Sequence, residues 1–396
     1  MVAPQRIANW VLPLTSVITF LGFLDTYLLI PVIALYASSL GASIGMVGLI
    51  VGLYSIINTP ANIVFGRWID KVGHKVPLII GLVGDAFSMV LYALSGKSWH
   101  LALVRILHGA GGAMVAPSTM SVIANYSQRE RTGRSMSLYG MALASASLIG
   151  YPVSGLIASR LGFKALFLFG AIVVAIAALL SLLLPANSRI EMTTPAPSTD
   201  GGIQGVKRLF ARKGLVISYA AIFAHFFTFG GVATLLPIYV KKLGMGAFEV
   251  GMLLTVFSAM FIVAQLPSGA VADRAGRLKP LVAGLACIVL SLTVLPAMSS
   301  FWLLAMVMAL YGVGYGLLFP STSALIIDHT NSDERGLATG MFHALLTAGI
   351  AIGAPAIGWV AGLAGTTMGL LVIPVPVFLV LLVALIFFKR ASNARI

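Results

Sequence analysis

The sequence predicts an all-α membrane protein of twelve transmembrane helices in two pseudo-symmetric six-helix bundles. Three observations carry that prediction. Hydrophobic residues make up 59% of the 396-residue chain and charged residues 9%, against roughly 25% charged in soluble proteins, and mean hydropathy is +1.02. The apolar runs are continuous and about 20 residues long, which suits a helix across a bilayer better than the roughly 10-residue alternating strands of a barrel. The two halves of the chain also match at a fixed offset of 203 residues.

Twelve apolar segments follow in order. The first, 11–36, is preceded only by Arg6; it is too long for a signal-peptide core and is read as a retained helix. Segments 45–66, 76–95, 99–126, 135–159 and 164–185 complete the first half. The hydrophilic stretch Ala186 to Gly214 comes next, with Pro195, Pro197, Ser198, Gly201 and Gly202 followed by Lys207, Arg208, Arg212 and Lys213. Its basic end is either a short helix on the inner leaflet or a plain linker. Segments 215–240, 246–270, 279–299, 301–327, 335–361 and 365–388 form the second half. The expected division is therefore an N-terminal bundle over 1–185, a cytoplasmic linker over 186–214 and a C-terminal bundle over 215–396.

Charge reports orientation. The net charge is +14, and 19 of the 25 Lys and Arg fall at the termini or in the loops after even-numbered segments, against five in the loops after odd ones. Positively charged loops stay inside, so both termini are expected in the cytoplasm. The basic excess points to anionic membrane lipid as a partner, and not to nucleic acid. The single cysteine, Cys287, excludes a disulfide framework and a cysteine-based metal site.

The repeat runs through five segments of each half. Tyr36, Leu40, Gly41 and Gly48 match Tyr239, Leu243, Gly244 and Gly251; Gly66, Asp70 and Gly73 match Gly269, Asp273 and Gly276; Gly109, Gly111 and Pro117 match Gly312, Gly314 and Pro320; Gly150, Pro152 and Gly155 match Gly353, Pro355 and Gly358. A parallel repeat of two six-helix halves places a binding cavity near the bilayer midplane.

The stretch Gly66-Arg67-Trp68-Ile69-Asp70-Lys71-Val72-Gly73-His74-Lys75 resembles the loop 2–3 motif of the major facilitator superfamily, with His74 in place of a basic residue. Gly269 through Asp273, Arg274, Gly276 and Arg277 repeats it in loop 8–9, and Arg105 to Gly111 resembles the segment-4 motif R-x-x-x-G-x-G. The resemblance covers the whole chain and extends to the twelve-segment drug:proton antiporter-like group. It implies a monomeric secondary transporter of a prokaryotic inner membrane, working by alternating access, with a small-molecule substrate and protons as partners. No enzyme activity, cofactor or metal is expected. It also implies a cytoplasmic gate in which Gly66, Arg67, Asp70, Lys71 and Gly73 meet the opposite half at Arg335, and Asp273, Arg274, Gly276 and Arg277 meet it at Arg134; the alternative is that these residues only anchor loops at the headgroups. The carboxylates Asp70 and Asp273 need positive partners, and helix N-termini carry partial positive charge.

Three intramembrane charges stand out, since a central Asp or Arg costs roughly 2.5–3.5 kcal/mol on insertion scales. They are Asp25, Asp85 and Arg105, and their repeat mates are Thr228, Ile288 and Met308. The charges thus occur in one half of a scaffold present in both, which assigns them to coupling or substrate. Asp25 either loads and releases protons, attracts a cationic substrate, or pairs structurally with a neighbour. Arg105 either tunes a carboxylate or pins helices together. Asp85 is a third coupling candidate, or a group satisfied locally.

His108, His225 and His343 are intramembrane, and each is either a hydrogen-bonded interior residue or a proton carrier; His225, followed by Phe226, Phe227 and Phe229, draws most interest. The expected cavity lining is Asp25, Tyr54, Asn58, Asn62, His225, Phe229, Gln265 and Tyr315. Few polar groups and many rings favour an amphipathic substrate. Gly150-Tyr151-Pro152-Val153-Ser154-Gly155 resembles the antiporter motif G-P-x-x-G-G with two glycines replaced, and packing of small residues explains it equally. Proton-coupled export of amphipathic or cationic compounds leads; proton-linked or facilitative transport of a polar solute, or lipid or lysolipid flipping, is the alternative.

Overall fold

The computed structural model describes residues 3–126, 132–185, 203–331 and 334–393. Among them there is helix and no strand. The helices are α1 (Ala3–Leu29), α2 (Ile33–Ser39), α3 (Ile44–Val72), α4 (Lys75–Leu94), α5 (Ser98–Tyr126), α6 (Thr132–Ser181), α7 (Ile203–Phe210), α8 (Lys213–Lys242), α9 (Ala247–Ala275), α10 (Leu278–Val294), α11 (Phe301–Asp328), α12 (Arg335–Ala364), α13 (Thr366–Val372) and α14 (Val375–Asn393).

The helices account for the twelve expected crossings, with three differences in detail. The first segment is not one unbroken helix: α1 ends at Leu29 and α2 restarts at Ile33, with Pro31 between them. The last breaks in the same way between α13 and α14, at Pro374. Proline lacks the N–H that continues a helix and disfavours helical geometry in the residue before it. The fifth and sixth segments are joined in α6 across a turn at Gly162, whose φ of 84° only glycine adopts freely.

The chain forms two compact units, Met1–Met192 with Val240–Thr255, and Thr193–Tyr239 with Val256–Ile396. In the first, Val11, Ile18, Leu78, Leu82, Val115, Val122 and Val174 make a core shared by α1, α4, α5 and the later part of α6. In the second, Leu209 of α7 enters a core with Leu215, Tyr219, Ile222, Ile326 and Phe342. The basic end of the connecting stretch is therefore a short docked helix with Lys207 and Arg208 exposed; residues 186–202 lie outside the described residues. Arg212 forks onto Glu334, Nη1 to Oε2 at 2.7 Å and Nη2 to Oε1 at 2.9 Å, and donates to the His329 carbonyl at the end of α11. These hydrogen bonds hold the Glu334 carboxyl below its ordinary value.

The sequence repeat is a repeat of contacts. Among the described residues, those with positive φ are six glycines, three pairs at the same offset: Gly41 and Gly244, Gly73 and Gly276, Gly162 and Gly365. A Cβ on Gly81 would stand 2.8 Å from the Gly111 carbonyl, and one on its mate Gly284 would stand 2.6 Å from the Gly314 carbonyl. The Tyr36 hydroxyl donates to the Ser95 carbonyl at 2.7 Å, and that of Tyr239 donates to the mated Met298 carbonyl at 2.9 Å. Tyr36→Phe and Tyr239→Phe are each expected to cost about 1 kcal/mol, the usual net worth of one hydrogen bond. Unfolding in mixed micelles measures both; a loss confined to one of them would contradict equivalent roles.

Candidate functional site

The first unit encloses a charged cluster drawn from three helices. Asp25 lies in the last turns of α1, Asp85 in the middle of α4 and His108 in the middle of α5, each 0–1% exposed. His108 Nε2 is 3.0 Å from Asp25 Oδ2 and 4.0 Å from Asp85 Oδ1. The Thr26 hydroxyl donates to Asp25 Oδ1 at 3.2 Å. Asp85 Oδ1 has no hydrogen-bond partner. Small residues let α4 and α5 approach this closely: the space over Gly111 is filled by the Asp85 carboxylate, which any Cβ there would strike. Ile288 holds the mated place over Gly314.

The Tyr92 hydroxyl meets the other side of the imidazole. His108 Nδ1 is 3.3 Å from the Tyr92 hydroxyl, which lies beside the Arg105 guanidinium. When Nδ1 accepts from the Tyr92 hydroxyl, the His108 proton sits on Nε2 and faces Asp25 Oδ2. Arg105 does not reach Asp25. Its Nε and Nη2 donate to the Ile50 and Val51 carbonyls of α3 at 3.0 and 3.1 Å, and its charge lies 5.2 Å from the Tyr54 ring centroid. The helices it joins are thus α5 and α3.

The donor atoms of Asp25, Asp85 and His108 all lie within 4.8 Å of one another, close enough to share a cation. Sequence spacing offered no such group, because its members are far apart in the chain. The signal available for His108 was its place three residues after Arg105, on the same face of one helix.

The second unit builds something different at the mated positions. Thr228 and Tyr311, the mates of Asp25 and His108, also meet, hydroxyl to hydroxyl at 3.5 Å, but carry no charge. Around them is an aromatic stack. Spacings of four residues bring Tyr311 and Tyr315 of α11, and Phe257 and Phe261 of α9, onto single helix faces. His225 of α8 is fully buried and stacks on Tyr315 at 4.0 Å and 11°, and Tyr315 stacks on Phe261 at 4.3 Å and 19°. Phe229 packs against Phe257 at 5.8 Å. Both ring nitrogens of His225 lack a hydrogen-bond partner.

The remaining expected residues are dispersed. Asn58 donates to the Gly109 carbonyl at 3.2 Å and Asn62 donates to Asn58 Oδ1 at 2.6 Å, so both amides tie α3 to α5 and to itself. Gln265 is half-buried. Asp70, Arg67 and Lys71 are exposed in the last turns of α3, where Gly73 closes the helix with φ of 86°. Arg274 and Arg335 are exposed, and Arg277 pairs with Asp328 at 3.1 Å. The side chains of Arg134 and Asp273 lie outside the described residues. In the antiporter-like stretch, Gly150 faces Tyr27, and Gly155 faces the Ala247 carbonyl at 2.7 Å from where a Cβ would be, so close packing uses both glycines.

Comparison with known proteins fits this architecture. The family model described as Major Facilitator Superfamily matches residues 15–250 and again 218–395. The chain belongs to the major facilitator superfamily. An MFS-type transporter of Methanocaldococcus jannaschii is 23% identical over 352 residues, 88% of this chain and 90% of that protein. Multidrug resistance protein MdtH of Aeromonas hydrophila is 27% identical over 343 residues, 85% of this chain and 83% of its own. Among solved structures, nucleoside transporter NupG superposes with a TM-score of 0.79 at 16% identity, covering 96% of this chain and 99% of its own. The facilitator fold thus accounts for the helices and their repeat.

Proposed function

We propose that the protein is a proton-coupled exporter of small amphipathic or cationic compounds, working by alternating access. The observation that carries this reading is the Asp25–His108–Asp85 cluster: three titratable groups fully buried together in one unit, with Thr228, Tyr311 and Ile288 at the mated positions of the other. Two carboxylates and one imidazole are electrically neutral together when they share two protons. Releasing one leaves a net negative charge in an apolar interior, which is costly unless a cation balances it. Proton release and cation binding are then alternatives, which is the minimum an antiporter needs.

Arg105 holds α5 to α3. The exposed Asp70 motif and its echo serve as the cytoplasmic gate, the bundles divide at 186–214, and both termini lie in the cytoplasm of a cell with this protein in its inner membrane. The multidrug name of MdtH supports the export direction. The test uses purified protein in liposomes loaded with a cationic dye under an imposed pH gradient. Dye should move against its own gradient while protons move the other way, and collapse of the pH gradient should stop it. Dye movement indifferent to the pH gradient would refute proton coupling.

A further inference from the structure

The stack around His225 has a feature that packing alone does not explain. Two rings as near to Tyr315 as His225 and Phe261, at 4.0 and 4.3 Å and nearly parallel to it, would collide if they lay on one face. They therefore cover opposite faces, and Tyr315 is a plate held between them. Phe226 meets the edge of that plate at 5.7 Å and 89°. His225 is fully buried while Tyr315 and Phe261 are half-buried, so the plate and its outer neighbour are the accessible part. Beneath them, both imidazole nitrogens are without a partner. A buried polar group is normally hydrogen-bonded, and one left unmatched in a native structure calls for an explanation. The stack belongs to one half alone: Gly22 and Gly112 occupy the mates of His225 and Tyr315.

We propose that this stack is a binding subsite for a flat aromatic ring system bearing a hydrogen-bonding group. The ligand enters as Tyr315 swings aside, takes the slot between the planes of His225 and Phe261, and supplies the imidazole with its missing partner. Stacking of rings in offset parallel arrangement is favourable and tolerant of ring type, while the hydrogen bond selects ligands that carry a donor or acceptor at the ring edge. An aliphatic or propeller-shaped cation of the same charge cannot fill a slot one ring thick. The inference deepens the transport reading, since the ligand would be the cargo, but binding itself does not depend on proton coupling.

The test is equilibrium binding of 9-aminoacridine, a flat aromatic amine, to the purified full-length protein in lipid nanodiscs, with tetraphenylphosphonium as the non-planar cation. The wild type should bind 9-aminoacridine saturably. His225→Phe keeps a ring in the stack and removes both nitrogens; it should weaken binding about tenfold, the worth of one hydrogen bond of ordinary strength, with no loss of thermal stability. Phe261→Leu should weaken it as well by removing one plate, and neither change should alter tetraphenylphosphonium binding. Asp25→Asn should leave the His225 dependence intact, so a failure of proton coupling and a failure of this subsite are read separately. Absence of saturable 9-aminoacridine binding, or binding indifferent to both His225→Phe and Phe261→Leu, overturns the proposal.

Discussion

Asp25→Asn is expected to reduce pH-gradient-driven accumulation to the level of protein-free vesicles while leaving substrate exchange across the bilayer. Asparagine keeps the shape of the carboxyl group and its contact with His108, so the helix packing of α1 against α5 survives. It cannot lose a proton. With Asp25 neutral in every state, the carboxylate nearest the imidazole no longer supplies the charge that a cationic substrate balances, and the two fluxes become independent. Asp85→Asn should have a smaller effect, because Asp85 lies 4.0 Å from the imidazole where Asp25 lies 3.0 Å from it. The measurement is dye accumulation in liposomes with an imposed pH gradient, beside counterflow of labelled substrate with no gradient. Driven accumulation that persists in Asp25→Asn would remove Asp25 from the coupling role and leave Asp85 and His108 as its carriers.

Much of the fold was legible because membrane helices obey few rules. Long apolar runs, loop charges and the glycines of the repeat determined the number of crossings and their order. The helix breaks at Pro31 and Pro374 were not legible, since Pro13, Pro60, Pro117, Pro152, Pro237, Pro267, Pro320 and Pro355 all lie inside continuous helices. Whether a proline breaks or merely bends a helix depends on which neighbours satisfy the freed carbonyl, and sequence does not show that.

The candidate site divides in the same way. Asp25 and Asp85 were visible as charges that violate both hydropathy and the repeat. That they share one imidazole was not, because it depends on three helices meeting over Gly111. Arg105 was visible too, but its partners are the backbone carbonyls of Ile50 and Val51, and every residue has a carbonyl. One scaffold places positions 25 and 108 in contact, and again 228 and 311. Only the first pair joins a carboxyl group to an imidazole.

That contrast supplies its own control for the strength of the Asp25–His108 pair. His108→Gln is expected to destabilise the protein by about 3–5 kcal/mol, because it strands a buried carboxylate whose partner has been removed. Asp25→Asn should cost less, leaving a neutral amide beside a neutral ring. The double variant Asp25→Asn with His108→Gln should recover most of the loss from His108→Gln, as two neutral amides can hydrogen-bond at that distance. The resulting coupling energy should be several times the roughly 0.6 kcal/mol typical of interhelical hydrogen bonds in membranes. The mated cycle, Thr228→Val with Tyr311→Phe, breaks a 3.5 Å contact between neutral hydroxyls and should give coupling at or below that typical value. Reversible unfolding in mixed detergent micelles measures both cycles. Equal coupling in the two units would mean that the shared scaffold, and not the charge confined to one half, sets the energy of the contact, and the case for a dedicated proton-handling cluster would fall with it.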